Sequence, residues 1–225
     1  MHHIATKEEA FAKLEGEISI PIDRSMHDFH FRRRWFQLRN QATASTFIKS
    51  HYDPNRSWNF LHIGIFEGMC EVWTMQNVLC SPASHLVCID PWESTAKLDS
   101  AFMESCCQNA IHNLSPWKDQ ITFICGYSQD ILKEAIKYGG LADIDVGKFD
   151  FAMIDGDHGA EPAYIDMVNC LQMVKQGGWL VCDDVRTQVP KENNVRAGLE
   201  HFLADYGDQV KMVWEHRYCS CLEKL

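Results

Sequence analysis

Two apolar runs of this chain end abruptly in acids. KFDFAMIDGDH closes on Asp155, Gly156, Asp157 and His158, and GGWLVCDDV closes on Asp183 and Asp184. Three carboxylates brought to one cleft repel one another, which raises a carboxyl pKa or demands a counter-charge. A hard divalent cation is the simplest counter-charge, and Mg²⁺ keeps waters that a substrate can displace. The alternative is that one aspartate binds a ligand while the others cap helices. His158 lies three residues after Asp155. An imidazole there either takes a proton near neutral pH, or caps the next helix or packs against Tyr164.

Three further stretches end in the same manner. In HIGIFEGMC, Gly64 and Gly68 flank a turn that permits close approach of a ligand to the backbone. Their spacing is not GxGxxG, so pyrophosphate binding is not indicated. HLVCID ends in Asp90, an acid placed either to bond the two hydroxyls of a ribose or to cap a helix. In GYSQDIL, Ser128 either caps the following helix or, with Gln129, bonds a purine edge.

The elements that must position these residues alternate. Short apolar runs (WNFLHIGI, HLVCID, QITFICG, FDFAMIDGD, WLVCDDV) are separated by stretches with helical periodicity (EGMCEVWTMQNVLC, LDSAFMESCCQNAIHNL, SQDILKEAIKYGG, AYIDMVNCLQMVKQGG, VRAGLEHFLADYG). QVKMVWEH and YCSCLEKL read as a closing antiparallel pair. Strands alternating with helices imply a parallel sheet covered on both faces, with right-handed crossovers. The fold class is therefore α/β, doubly wound, and ligands bind beyond the carboxyl ends of its strands. Residues 1–57 read as a helical N-terminal extension or lid, with one helix in TKEEAFAKLEGE and a longer one beginning at Phe29. The main domain spans 58–225. Arg32, Arg33 and Arg34 lie among aromatics in HFRRRWF, either to hold an acidic or aromatic substrate or as a solvated helix face.

With 225 residues, 46% hydrophobic and 23% charged, the composition is that of one globular domain. A formal net charge of −10 argues against nucleic acid as a partner. No run is long enough to span a bilayer, and the charged N-terminus does not read as a signal peptide. Ten cysteines without a CxxC pair read as reduced thiols in a reducing, cytoplasmic compartment. Cys219-x-Cys221 and Cys106-Cys107 are weak metal signals.

In their order these motifs resemble class I S-adenosylmethionine-dependent methyltransferases, and among them the metal-dependent O-methyltransferases of the catechol, caffeoyl-CoA and macrocin types. The resemblance covers about residues 58–225. It implies a Rossmann-like sheet, parallel with an antiparallel C-terminal strand. It implies that His62, Gly64, Phe66, Glu67 and Gly68 in the first turn hold the methionine part of the cofactor, that Asp90 binds its ribose, and that Ser128 and Gln129 contact its adenine. Asp155 would both border the cofactor and, with Asp183 and Asp184, bind Mg²⁺ or another divalent cation. His158 falls where the family places its general base. The substrate implied is a small molecule with vicinal oxygens, a sugar diol or a catechol, and dimers through the N-terminal helices are implied too. The family usually has an acid where this chain has His62. That departure keeps two alternatives open: metal-free N-methylation, and a cofactor-binding module without methyl transfer.

Overall fold

The computed structural model describes residues 22–33, 53, 56–95, 98–185, 194–215 and 219–225. In chain order its elements are β1 (Asn59–Ile63), α1 (Met69–Asn77), β2 (His85–Asp90), α2 (Ser100–Leu114), β3 (Ile121–Cys125), α3 (Ser128–Tyr138), β4 (Gly140–Leu141), β5 (Ile144–Asp145), β6 (Phe149–Ile154), α4 (Ala160–Met173), β7 (Val174–Cys182), α5 (Val195–Tyr206), β8 (Val210–Glu215) and β9 (Ser220–Lys224). Seven strands form one sheet in the order β3-β2-β1-β6-β7-β9-β8. Neighbours from β3 to β7 are parallel, while β9 runs antiparallel to both β7 and β8. The expected α/β architecture and its antiparallel end are therefore present.

Alternation along the strands divides the core. Leu61, Ile63, Val87, Ile89, Ala152 and Ile154 join α3, α4 and α5 on one face. Phe60, Leu86 and Cys88 join α1 and α2 on the other, around the fully buried Trp73. Burying each such large side chain contributes roughly 1.5–3 kcal/mol, before the entropy of ordering it. Strand order reverses between β1 and β6, and chain connections diverge there to opposite faces. That opens a crevice at the strands' carboxyl ends.

Three local readings change. The sequence pattern places Gly177 and Gly178 at a helix end, but α4 stops at Met173 and both glycines lie inside β7. The register between β6 and β7 shifts between Phe149 and Phe151, and a Cβ on Gly178 would come 2.8 Å from Asp150 O. The glycine lets the bulged strand approach its neighbour. The segment KYGGLADIDVG carries the small antiparallel pair β4–β5. Residues 22–33 form turns and extended chain, so the helix expected from Phe29 does not include Phe29–Arg33. Their backbone groups are used elsewhere: Asn113 receives His30 N–H (2.7 Å) and donates to His30 O (2.9 Å), and Glu67 accepts from Arg32 N and Arg33 N. The remainder of that helix, Arg34 included, and the one expected in TKEEAFAKLEGE lie outside the described residues.

Candidate functional site

The turn after β1 is the base of the site. Gly64 (φ 81°), Phe66 (φ 52°) and Gly68 (φ 77°) all take left-handed backbone. At Gly64 this is obligatory, because a Cβ would fall 1.9 Å from Asp155 O. The ends of β1 and β6 thus abut at the point where strand order reverses. Asp90, at the end of β2, fixes this turn. Its Oδ2 accepts from Ile65 N (2.9 Å) and Phe66 N (3.0 Å), and its Oδ1 from Trp92 N (2.7 Å). Burial raises its pKa and those three amides oppose the rise. An ionised carboxylate offers about four acceptor positions, so the three amides leave one.

Glu67, 1% exposed, serves the other side of the turn. It accepts from Arg32 N (2.8 Å), Arg33 N (3.2 Å) and Asn109 Nδ2 (2.8 Å). Arg32 itself lies 3.4 Å from Glu67, bonds Ser105 and sits 5.0 Å over the Phe102 ring. Its guanidinium is engaged in docking the N-terminal segment on α2.

His62 is buried one residue from the end of β1, its Nδ1 against Glu71 Oε1 from the first turn of α1. Burial works against the charged imidazole, yet Glu71, with Asp155 and Asp183, outweighs it and holds the pKa above its ordinary value. His62 Nε2 and Glu71 Oε2 are buried with no hydrogen-bond partner.

At the ends of β6 and β7 the acids converge as the sequence suggests. Asp183 N donates to Ile154 O at 3.0 Å, which keeps Asp155 and Asp183 side by side. His158 bridges this pair of ends, with Nε2 3.5 Å from Asp155 Oδ1 and Nδ1 3.1 Å from Asp184 Oδ2. Asp184 holds left-handed backbone, φ 56°. Burial and the neighbouring Asp183 push the Asp155 carboxyl up to about 7, against the opposing bond from His158. Burial likewise raises Asp183, although Cys219 Sγ donates to its Oδ1 at 2.8 Å. The bond to Asp155 raises His158.

For a divalent cation, the donor chemistry is suitable: anionic oxygens on neighbouring strand ends that lack a full counter-charge. Among the described residues, no three His, Cys, Asp or Glu side chains are grouped to hold a metal. Mg²⁺ is commonly held by only one or two carboxylates, with waters and substrate completing its shell. Asp155 and Asp183 meet that lower requirement.

Ser128 and Gln129 open α3, whose N-cap is Tyr127. Ser128 therefore does not cap the helix. Its hydroxyl donates to Asp166 Oδ1 on α4 at 2.7 Å. Sequence reasoning missed Glu71 and Asp166, of which Glu71 carried a signal as an acid in the first turn of the helix that follows the glycines. Cys219, which the sequence marks only as a weak metal signal, bonds the Asp183 carboxylate instead.

No curated protein matches the chain. Solved structures do. A protein from Corynebacterium glutamicum superposes with a TM-score of 0.56 at 12% identity, over 98% of this chain and 92% of that one. An O-methyltransferase from Bacillus cereus in complex with SAH gives 0.52 at 18% identity, over 74% of each chain. A cofactor-bound protein from MTB gives 0.51 at 17%, over 74% of this chain and 72% of that one. At these identities the likeness is one of fold. The methyltransferase domain family, in contrast, matches the sequence itself over residues 61–185. That stretch runs from β1 through the glycine turn, Asp90, Ser128 and Asp155 to the end of the Asp183–Asp184 pair, and with more than half of the chain matched, the protein belongs to the methyltransferase domain family.

Proposed function

We propose that the protein is an S-adenosylmethionine-dependent O-methyltransferase acting on a small molecule with two neighbouring oxygens. One observation carries this reading: the strained glycine turn of β1 and the Asp155–His158–Asp184 group meet at the same sheet-end crevice. The SAH bound by the Bacillus cereus neighbour supports the choice of cofactor.

In this reading the Gly64–Gly68 turn seats the methionine portion, Asp90 gives its remaining acceptor position to a ribose hydroxyl, and Ser128 and Gln129 meet the base. Asp155 and Asp183 would hold Mg²⁺ or another divalent cation, with Asp184 beside them on His158. Such an ion would supply Lewis acidity that lowers the pKa of a substrate hydroxyl. His158, oriented by Asp155 and Asp184, takes the hydroxyl proton. The freed oxygen forms a bond to the methyl carbon as the carbon–sulfur bond breaks, and the sulfonium leaves as a neutral thioether. The sulfonium already activates the methyl group, so the protein's work is mainly alignment and exclusion of water.

Titration calorimetry of S-adenosylmethionine and SAH, with Mg²⁺ and with excess chelator, tests the reading, followed by turnover on catechols and vicinal diols. Both cofactors bind wild type, and Asp155→Ala loses Mg²⁺ binding and most turnover. Near-normal turnover in Asp155→Ala refutes Asp155 as the metal ligand, and turnover that survives chelator points to metal-free N-methylation. His158→Ala lowers turnover by about 10²–10⁴ while SAH affinity stays within about threefold. The buried His62–Glu71 pair favours a second reading, a cofactor-binding protein without transfer, for which cofactor binding with no turnover on any acceptor is the mark.

A further inference from the structure

Cys219 reaches the acids from outside residues 61–185, the stretch that the methyltransferase domain family matches. The antiparallel ladder between β7 and β9 pairs Val181 with Cys221 and Cys182 with Ser220. Continued by one residue, that register sets Cys219 opposite Asp183. The side chains of an opposed pair share one face of a sheet. Here the thiol meets the acid, with Sγ donating to Asp183 Oδ1 at 2.8 Å. Cys219 is buried and packs with Val181 and Cys221.

Asp183 is thereby held at three points. Its N donates to Ile154 O at 3.0 Å, its carboxylate accepts from the Asp184 amide, and its Oδ1 accepts from Cys219. An ionised carboxylate offers about four acceptor positions, so about two remain for a ligand. The kind of donor decides what those positions are worth. Asp150, near the amino end of β6, has Arg56 and Lys175 as partners. Full cations such as these cancel an acid's charge. A thiol and an amide carry none, so they fix the direction of the Asp183 carboxylate and leave its charge for a cation. Outer partners of this kind orient ligating carboxylates and tune the affinity for the ion.

We propose that Cys219 is a positioning residue for a divalent cation, holding the Asp183 carboxylate in place without neutralising it. The inference rests on the metal-dependent reading of this site and extends the site to the C-terminal strand pair. Cys219 acts through Asp183, so its substitution changes the affinity for the ion and leaves that for the cofactor alone.

The test measures Mn²⁺ binding at pH 7 by loss of the free-ion EPR signal, and Mg²⁺ by competition, on wild type, Cys219→Ala, Cys219→Val and Cys219→Ser. Loss of the donor in Cys219→Ala and Cys219→Val weakens both ions by about tenfold or more. Cys219→Ser restores a donor and stays within about threefold of wild type. SAH affinity, by calorimetry, stays within about threefold in all three variants. Valine fills the thiol's space without a donor, so Cys219→Val separates bonding from packing and serves if Cys219→Ala does not fold. Wild-type ion affinity in Cys219→Val overturns the proposal while leaving the metal reading intact, and so does an equal loss of ion and SAH binding in the variants. Failure of Cys219→Ser to recover ion affinity also overturns it. Absence of Mn²⁺ and Mg²⁺ binding by wild type overturns the metal reading and the proposal together.

Discussion

Strand β6 carries an aspartate as its second residue, Asp150, and is followed directly by another, Asp155, and the two live in opposite surroundings. Asp150, at the amino end, contacts Arg56 and Lys175 and accepts from Asn59 N at 2.8 Å. Arg56 in turn lies 4.1 Å over the Trp58 ring. Asp155, at the carboxyl end, faces Asp183, and His158 offers it a proton. One acid is neutralised by its partners, and the other is left among acids. A carboxylate satisfied by fixed cations holds strand ends together. One held up to about 7 by burial and a like-charged neighbour is poised to meet a ligand that brings positive charge or protons. The sheet thus has a structural edge and a chemical edge, as doubly wound sheets do.

The contrast can be broken most decisively by exchanging its two acids for alanine. Asp155→Ala lowers methyl transfer by about 10³-fold with little change in Tm, whereas a Tm loss as large as that of the other exchange would erase the distinction. Asp150→Ala costs roughly 2–3 kcal/mol in urea unfolding, because Lys175 and Arg56 lose a buried partner, and SAH affinity of the folded protein is unchanged. A drop in affinity there would make the amino edge part of the site.

Asp166 offers a finer comparison through pH. Its carboxyl rises from an ordinary 3.8 to about 6 in the folded chain. Between those values the folded protein holds a proton that the unfolded chain has released, so stability from this group falls as pH rises. Asp166→Asn removes the dependence. Its Tm relative to wild type should therefore climb between pH 4 and pH 7, and a flat difference would place the carboxyl at an ordinary value. The smallest effect is expected at Arg32, whose side chain is 41% exposed. Arg32→Ala should shift urea stability by less than about 1 kcal/mol.

The sequence made the chemical edge legible because each of its residues ends a strand or follows one within three positions. Gly64, Asp90, Ser128, Asp155 and Asp183 follow apolar runs, and a parallel sheet must bring such ends to one side. What it hid was made by contacts between distant elements. Asp166 looks like any polar position of an amphipathic helix until α4 packs beside α3. Cys219 reads as a weak metal signal with Cys221, and its thiol meets Asp183 only once the chain entering β9 packs beside β7. The two-residue strands β4 and β5 are too short for any alternation to register. Gly177 and Gly178 resemble a helix end because nothing local announces a bulge against β6. Phe29–Arg33 has the residues of a helix, but Glu67 and Asn113 claim its backbone groups first.

Glu67 gives the glycine turn a second constituency. The same carboxylate sits within the turn and holds the amides of Arg32 and Arg33. Whatever free energy a ligand gains by settling this turn is then shared with the docking of the N-terminal segment, and the sharing runs equally in both directions. Residues 30–33 become a remote reporter of events in the crevice, readable by the protection of their amides from hydrogen exchange, and Glu67→Gln is the change that would disconnect the reporter from its source.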